Sequence, residues 1–198
     1  MKLHHSSNSP FVRKCLVTAA ELGLSDQLER LACAASPVTR DRDIIASNPL
    51  GQVPTLTTDD GQVLYDSRVI CEYLNNLAGG SLYPQDLRQR WTALTDQSLA
   101  DGILDAALLV RYETTLRPEQ YRWADWITGQ LDKFTTALTH FETRVSGFGG
   151  RVDIGTITLA CALRYLDLRY PDLQWRDQYP RLTAWYQVYS QRPACQVI

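Results

Sequence analysis

Two kinds of hydrophobic spacing divide this chain near residue 78. Before that point short apolar runs alternate with helical stretches. After it every apolar pattern is helical. Lys2–His5 reads as a short strand. Ser9 is a preferred helix N-cap and Pro10 suits the first helical position. Phe11, Val12, Cys15, Leu16, Ala19, Ala20 and Leu22 follow at helical spacing, and Gly23 closes the helix. Weak alternation over Leu28 to Cys33 predicts a second strand, and Asp41 to Ala46 a short helix. Val53 to Thr57 and Val63 to Tyr65 flank Asp59-Asp60-Gly61, a hairpin signal. Ser67 to Leu77 is helical, with Val69, Ile70, Tyr73, Leu74 and Leu77 on one predicted face.

Leu82-Tyr83-Pro84-Gln85 reads as a linker, beyond which strand signals vanish. Ile127, Leu131, Phe134, Leu138, Phe141 and Val145 alternate spacings of four and three, the seam of a buried bundle helix. Gly147, Gly149 and Gly150 break it. Asp153 can cap the next helix, which carries Ile154, Ile157, Cys161 and Leu168. Pro180 starts a last one with Leu182, Trp185, Tyr186 and Tyr189. The expected architecture is an α/β domain over residues 1–78 and an all-α helical bundle over 86–198.

One stretch suggests chemistry. In Asn48-Pro49-Leu50-Gly51-Gln52-Val53-Pro54 a proline opens a strand, where its missing N–H is tolerated. Asp66-Ser67 stands where a strand hands over to a helix, whose first N–H groups lack intrahelical partners. Such a loop facing a helix N-terminus can hold a small anionic ligand. For Ser9 and Ser67 the ordinary role is helix capping. His4 and His5 are adjacent and face opposite sides of a strand, so they cannot chelate one metal. No metal site is expected. His140 falls between seam positions and no GxSxG elbow exists, so a Ser-His-Asp hydrolase is poorly supported.

Composition narrows the partners. A net charge of -2, with no basic stripe, gives no reason to expect nucleic acid. Five cysteines (Cys15, Cys33, Cys71, Cys161, Cys195) show no metal-ligand spacing and read as reduced structural thiols. No apolar run approaches the ~20 residues that span a bilayer, and no signal peptide is read, so a cytoplasmic protein with no membrane partner is expected.

Ser9-Pro10-Phe11-Val12-Arg13-Lys14, Asn48 through Pro54, and Asp66-Ser67-Arg68-Val69-Ile70 together resemble the N-terminal signatures of cytosolic glutathione transferases. Tyr179-Pro180-Arg181-Leu182 through Arg192-Pro193-Ala194 is similar to the family's final helix. The resemblance implies a thioredoxin-like N-terminal domain, an all-α C-terminal domain and a homodimer. It implies glutathione as co-substrate and a small hydrophobic electrophile as partner. Pro54 matches a cis-proline that turns the Val53 backbone toward the cysteinyl part of glutathione, like an added strand. Asp66 and Ser67 match the residues that hold the γ-glutamyl end, and Gln52 one that reaches the glycyl end, with Arg40 or Arg42 as further candidates. Ser9 matches the residue that contacts the sulfur, with Ser6 and Ser7 as rivals. Trp91, Leu108 and Tyr112, on the first helix after the linker, are the candidates for the electrophile pocket; Asp101 and Asp105 share a face of that helix.

Two features depart from the family pattern. Asp153 is followed by Thr156, a reversal of the usual capping pair. Position 9 is not the cysteine of members that perform thiol–disulfide exchange. The implied activity is therefore conjugation of glutathione to electrophiles. The alternatives are a non-catalytic protein-binding module, or a glutathione-dependent reductase or isomerase.

Overall fold

In the computed structural model, which describes residues 1–197, the chain forms two units: Met1–Gln85 with the C-terminal segment from Pro193, and Asp86–Arg192. The first is organised by four short strands, β1 (Lys2–His5), β2 (Glu29–Ala32), β3 (Thr55–Thr57) and β4 (Val63–Leu64), in the order β2-β1-β3-β4. β1 and β2 are parallel; β3 runs antiparallel to both its neighbours. Three helices complete the unit: α1 (Pro10–Glu21), α2 (Arg42–Ser47) and α3 (Ser67–Leu77). The sheet is mixed because β1 to β2 needs a helical crossover through α1, whereas β3 and β4 join through the tight Asp59-Asp60-Gly61 turn.

α1 and α3 pack side by side. Cys71 Sγ lies 3.9 Å from Cys15 Sγ and 3.4 Å from the Thr18 hydroxyl, all buried. The buried face of α3 is Ser67, Ile70, Cys71, Leu74 and Asn75. This corrects the predicted face: Val69 and Leu77 are 47% and 50% exposed. The short polar side chains Ser67 and Asn75 took the core positions, and a hydrophobicity count passes over them. Asn75 earns burial by accepting the Leu82 N–H at 2.9 Å, which anchors the chain leaving the unit. The last residues belong to this unit although the sequence reading grouped them with the bundle. Arg13 donates to the Val197 carbonyl at 2.7 Å and to that of Cys195. None of the five cysteines is in a disulfide, and three of them are buried.

The second unit is helical: α4 (Leu87–Thr115), α5 (Ala124–Arg144), α6 (Ile154–Arg169), α7 (Trp175–Gln178) and α8 (Pro180–Tyr189). The α5 seam is buried at Phe134, Leu138, Phe141 and Val145. α6 is buried on nearly all faces from Ile154 to Leu163, as befits a central helix, while Leu168 at its far end is 57% exposed, not buried as its spacing suggested. Gly155 permits the close approach of α6 to α4, since a Cβ there would lie 2.7 Å from the Ala93 carbonyl oxygen. No helix among the described residues is long and apolar enough to cross a membrane.

The reversed pair Asp153 and Thr156 forms a complete capping box: each side chain meets the other's backbone N–H at 3.0 Å. Arg151 ties that box to α4 by pairing with Asp153 and donating to Asp96 Oδ2 at 2.7 Å. Arg144 at the end of α5 donates to Asp96 Oδ1, also at 2.7 Å. A carboxylate 1% exposed within α4 thus joins the end of α5 and the start of α6. Asp96→Ala should lower stability by about 2–3 kcal/mol, less than for a fully buried pair because both arginines keep part of their solvation. Urea unfolding followed by circular dichroism measures it; a midpoint equal to that of the parent protein would remove the network from the account.

Candidate functional site

The strand register brings the predicted residues to one end of the sheet. β1 ends at His5, and Ser6–Ser9 follow. His4 pairs with Thr55, so Val53-Pro54, just before β3, extends past the same end. Leu56 pairs with Leu64, so the exit of β4 into Asp66-Ser67 lies there too. The parallel partner β2 ends at Ala32 beside His5 and delivers Cys33 and the loop to α2. Helices α1 and α3 therefore both point their N-termini at this end of the sheet.

The loop from Asn48 to Thr55 is held almost wholly by one side chain. Asn48, 1% exposed, donates through Nδ2 to the Gln52 carbonyl at 3.2 Å and the Thr55 hydroxyl at 3.0 Å. Its Oδ1 accepts the Leu50 N–H at 3.0 Å, and its carbonyl accepts the Gly51 N–H at 2.7 Å. Arg40 braces the outside by donating to the Pro49 carbonyl at 2.7 Å. Gly51 has φ +63, and a Cβ there would meet Ile45 Cγ1 at 3.0 Å and Arg40 Nη2 at 3.1 Å. The Val53–Pro54 peptide is cis. Beyond these anchors the chain is open: among the described residues the Val53 N–H and C=O enter no hydrogen bond. Gln52 is exposed.

At α3, Asp66 is the N-cap, accepting the Arg68 N–H at 2.9 Å through Oδ1 and leaving Oδ2 open. The peptide before it, Tyr65–Asp66, is also cis. Ser67 is 3% exposed, and among the described residues neither its N–H nor its hydroxyl has a hydrogen-bond partner. Open donors beside a carboxylate at a positive helix end form a receptor for an ammonium and a carboxylate together.

At α1, Ser9 is the N-cap, and its Oγ accepts the Val12 N–H at 3.3 Å. That bond uses a lone pair of the oxygen; the hydroxyl proton stays free to donate outward. Ser9 is half-buried, while Ser7 is exposed and Ser6 gives its carbonyl to the Ser9 N–H at 3.0 Å. Cys33 lies at the same sheet end, but burial and the charge of Asp41 push its thiol up, so it is a poor nucleophile.

The three electrophile-pocket candidates do not share a place. Leu108 and Tyr112 are half-buried one turn apart on α4. Trp91 lies 17 residues earlier on the same helix, about 25 Å away at 1.5 Å per residue, and is 62% exposed. Asp101 and Asp105 also part company, the first buried and the second exposed. An open groove of about 790 Å3 between α4 and α5, floored by Leu94, Leu99 and Ala137, contains none of the predicted residues. Among the described residues no cluster could hold a metal ion. Sequence reasoning missed Asn48 as an organiser. The signal was an Asn six residues ahead of the strand-opening Pro54, and it reads as loop composition until its bonds are seen.

Both units have matches among known proteins. Residues 8–77 match the glutathione S-transferase N-terminal domain and residues 124–187 the glutathione S-transferase C-terminal domain. The GST-like protein YibF of Escherichia coli is 34% identical, covering 92% of this chain and 90% of YibF. A glutathione transferase family member of Pseudomonas fluorescens, crystallised with bound glutathione, superposes with TM-score 0.95 at 46% identity, covering 98% of this chain and 96% of that one. A second structure of such a family member from that organism, with S-(propanoic acid)-glutathione, gives TM-score 0.91 at 45% identity over the same shares.

Asn48→Ala removes three side-chain bonds at once and should cost about 2–3 kcal/mol of stability. Thermal unfolding checks it. The same variant should bind glutathione more weakly by calorimetry, because its loop no longer fixes the Val53 backbone.

Proposed function

The chain belongs to the glutathione transferase family, and from that premise we propose that it conjugates the thiolate of glutathione to a small hydrophobic electrophile, as a cytoplasmic homodimer. The observation that carries this reading is the state of Ser9: its oxygen is engaged by the helix cap while its proton is free. A free thiol of pKa ~8.5 is only a few per cent ionised at neutral pH, and lowering that value by ~2 units takes ~2.7 kcal/mol of preference for the thiolate. A hydroxyl donor backed by a helix N-terminus is a source of that size.

The division of labour follows from the open groups. The Val53 backbone pairs with the cysteinyl unit across the cis-Pro54 turn. The Ser67 N–H and hydroxyl take the γ-glutamyl carboxylate, and the open Asp66 oxygen takes the ammonium. Gln52, with Arg40 or Arg42, meets the glycyl carboxylate; all three side chains are exposed. The ligands of the Pseudomonas fluorescens relatives, glutathione and one S-substituted glutathione, support this assignment. A serine at position 9 weighs against reductase chemistry, which uses a cysteine there. The dimer reading draws support from the exposed apolar stripe Val69 and Leu77 on α3.

Ser9→Ala should leave the glutathione dissociation constant within a few-fold and lower turnover of an activated aryl halide by about 10- to 100-fold. The midpoint of its pH–rate profile should rise, toward the value of the free thiol. A rate equal to the parent's at all pH values would sink the role. Ser67→Ala should instead weaken glutathione binding by about tenfold, read by calorimetry.

A further inference from the structure

Two thiols meet where α1 and α3 pack against each other, inside the first unit. The Cys71 thiol donates to the Cys15 sulfur at 3.9 Å. The Thr18 hydroxyl donates to the Cys71 sulfur at 3.4 Å, and the Cys15 thiol reaches the Ser67 carbonyl at 4.0 Å. A chain of weak donors thus runs from α1 through both sulfurs to the first residue of α3. Cys15, Thr18 and Cys71 are fully buried, and Ser67 nearly so.

Sulfurs this close are one two-electron oxidation away from a cross-link. A disulfide bond is ~2.05 Å long, so the two sulfurs must approach by about 2 Å. Side-chain rotation and a small approach of the two helices supply that movement. The product carries no S–H, so the Ser67 carbonyl loses its sulfur donor. Ser9 caps α1 and Ser67 opens α3, so a shift of either helix moves a group assigned to glutathione.

We propose that Cys15 and Cys71 form a reversible disulfide that ties α1 to α3 and weakens glutathione binding, the oxidant being a hydroperoxide as small as hydrogen peroxide. One sulfur attacks the peroxide, the O–O bond breaks, and water leaves with the S–H proton, so that a sulfenic acid remains. The second sulfur attacks the first, the S–O bond breaks, and a second water leaves with the other thiol's proton. Two electrons pass from the thiols to the peroxide. Burial bars bulky oxidants, and a small peroxide enters through local opening of the helix pair. The effect on binding rests on the conjugation reading, which seats the γ-glutamyl end at Ser67; the cross-link itself does not.

The test treats the whole protein with graded hydrogen peroxide. Peptide mapping without reduction locates the cross-link. Calorimetry with S-methylglutathione, which has no thiol to reduce the bond, reads the site. A peptide pair joining Cys15 to Cys71 should appear, and affinity should fall by about fivefold, both reversed by dithiothreitol. Cys15→Ala and Cys71→Ala should each abolish the fall. Cys33→Ser should keep it, which separates the pair from the half-buried thiol at the sheet end. Each protein is compared with its own reduced form, and the parent's oxidation and recovery need no variant. Absence of the pair at peroxide levels that oxidise Cys33 or Cys195 overturns the proposal. A cross-link with unchanged affinity overturns the control of binding. A reduced parent protein that does not bind S-methylglutathione overturns the conjugation reading, and the control of binding with it, whatever the map shows.

Discussion

The free backbone of Val53 is the constraint around which the first unit is arranged. A peptide group that gives up its own hydrogen bonds in a folded protein must be held in place by others, because nothing in its own ladder fixes it. Asn48 does most of that holding, with bonds to Gln52, Thr55 and Leu50. Arg40 and the left-handed Gly51 set the outer wall of the loop. The loop is thus braced on both sides of the one peptide group it leaves open for a peptide-like ligand to pair with. That is the preorganisation that makes strand-addition binding selective: the ordering cost is met on folding and not on binding.

The second unit solves a different problem with similar economy. Its central helix is apolar on almost every face, so its N-terminal N–H groups are buried and need internal acceptors. The Asp153–Thr156 box supplies them, and Arg151 neutralises the Asp153 charge that the cap brings inside. Arg151 then requires Asp96, and Asp96 accepts Arg144 as well. A single polar helix end has fixed the chemistry of three helices. The order of the capping pair is immaterial, because aspartate and threonine oxygens both accept from backbone N–H groups.

How much of this was readable beforehand depends on the range of each interaction. The caps Ser9 and Asp153, the hairpin at Asp59-Asp60-Gly61 and the α5 seam from Phe134 onward are local in sequence and stand where the pattern put them, whereas the cap expected at Ser67 falls one residue earlier, on Asp66, with Ser67 the first helical residue. The buried face of α3 was misread because Ser67 and Asn75 are polar residues whose burial depends on their surroundings in the fold. Leu168 and Val69 satisfied a helical period yet face solvent, since periodicity finds a stripe but not what covers it. Trp91 was grouped with Leu108 and Tyr112 because they share a helix, and a helix of 29 residues is too long for that to mean proximity. Arg13 was quoted only as part of a signature; its grip on the carbonyls of residues 195 and 197 joins segments more than 180 positions apart, which no local pattern encodes.

Ser9 shows why the ordinary and the functional roles of a residue need not compete. As an N-cap it uses a lone pair toward the Val12 N–H. As a donor it would use its proton in the opposite direction. The two bonds polarise the hydroxyl in the same sense, since an oxygen that donates its proton becomes the better acceptor. An alanine would lose both, so stability and turnover would fall together and neither alone would assign the role. The discriminating quantity is the ionisation of the bound thiol. A capping bond supports the helix whatever the state of the sulfur, whereas a donated proton favours the thiolate alone. At position 9 a threonine preserves both hydroxyl functions, while an asparagine or glycine preserves mainly the cap. A series of such variants therefore separates helix stability from thiol ionisation at a position where the sequence fuses them.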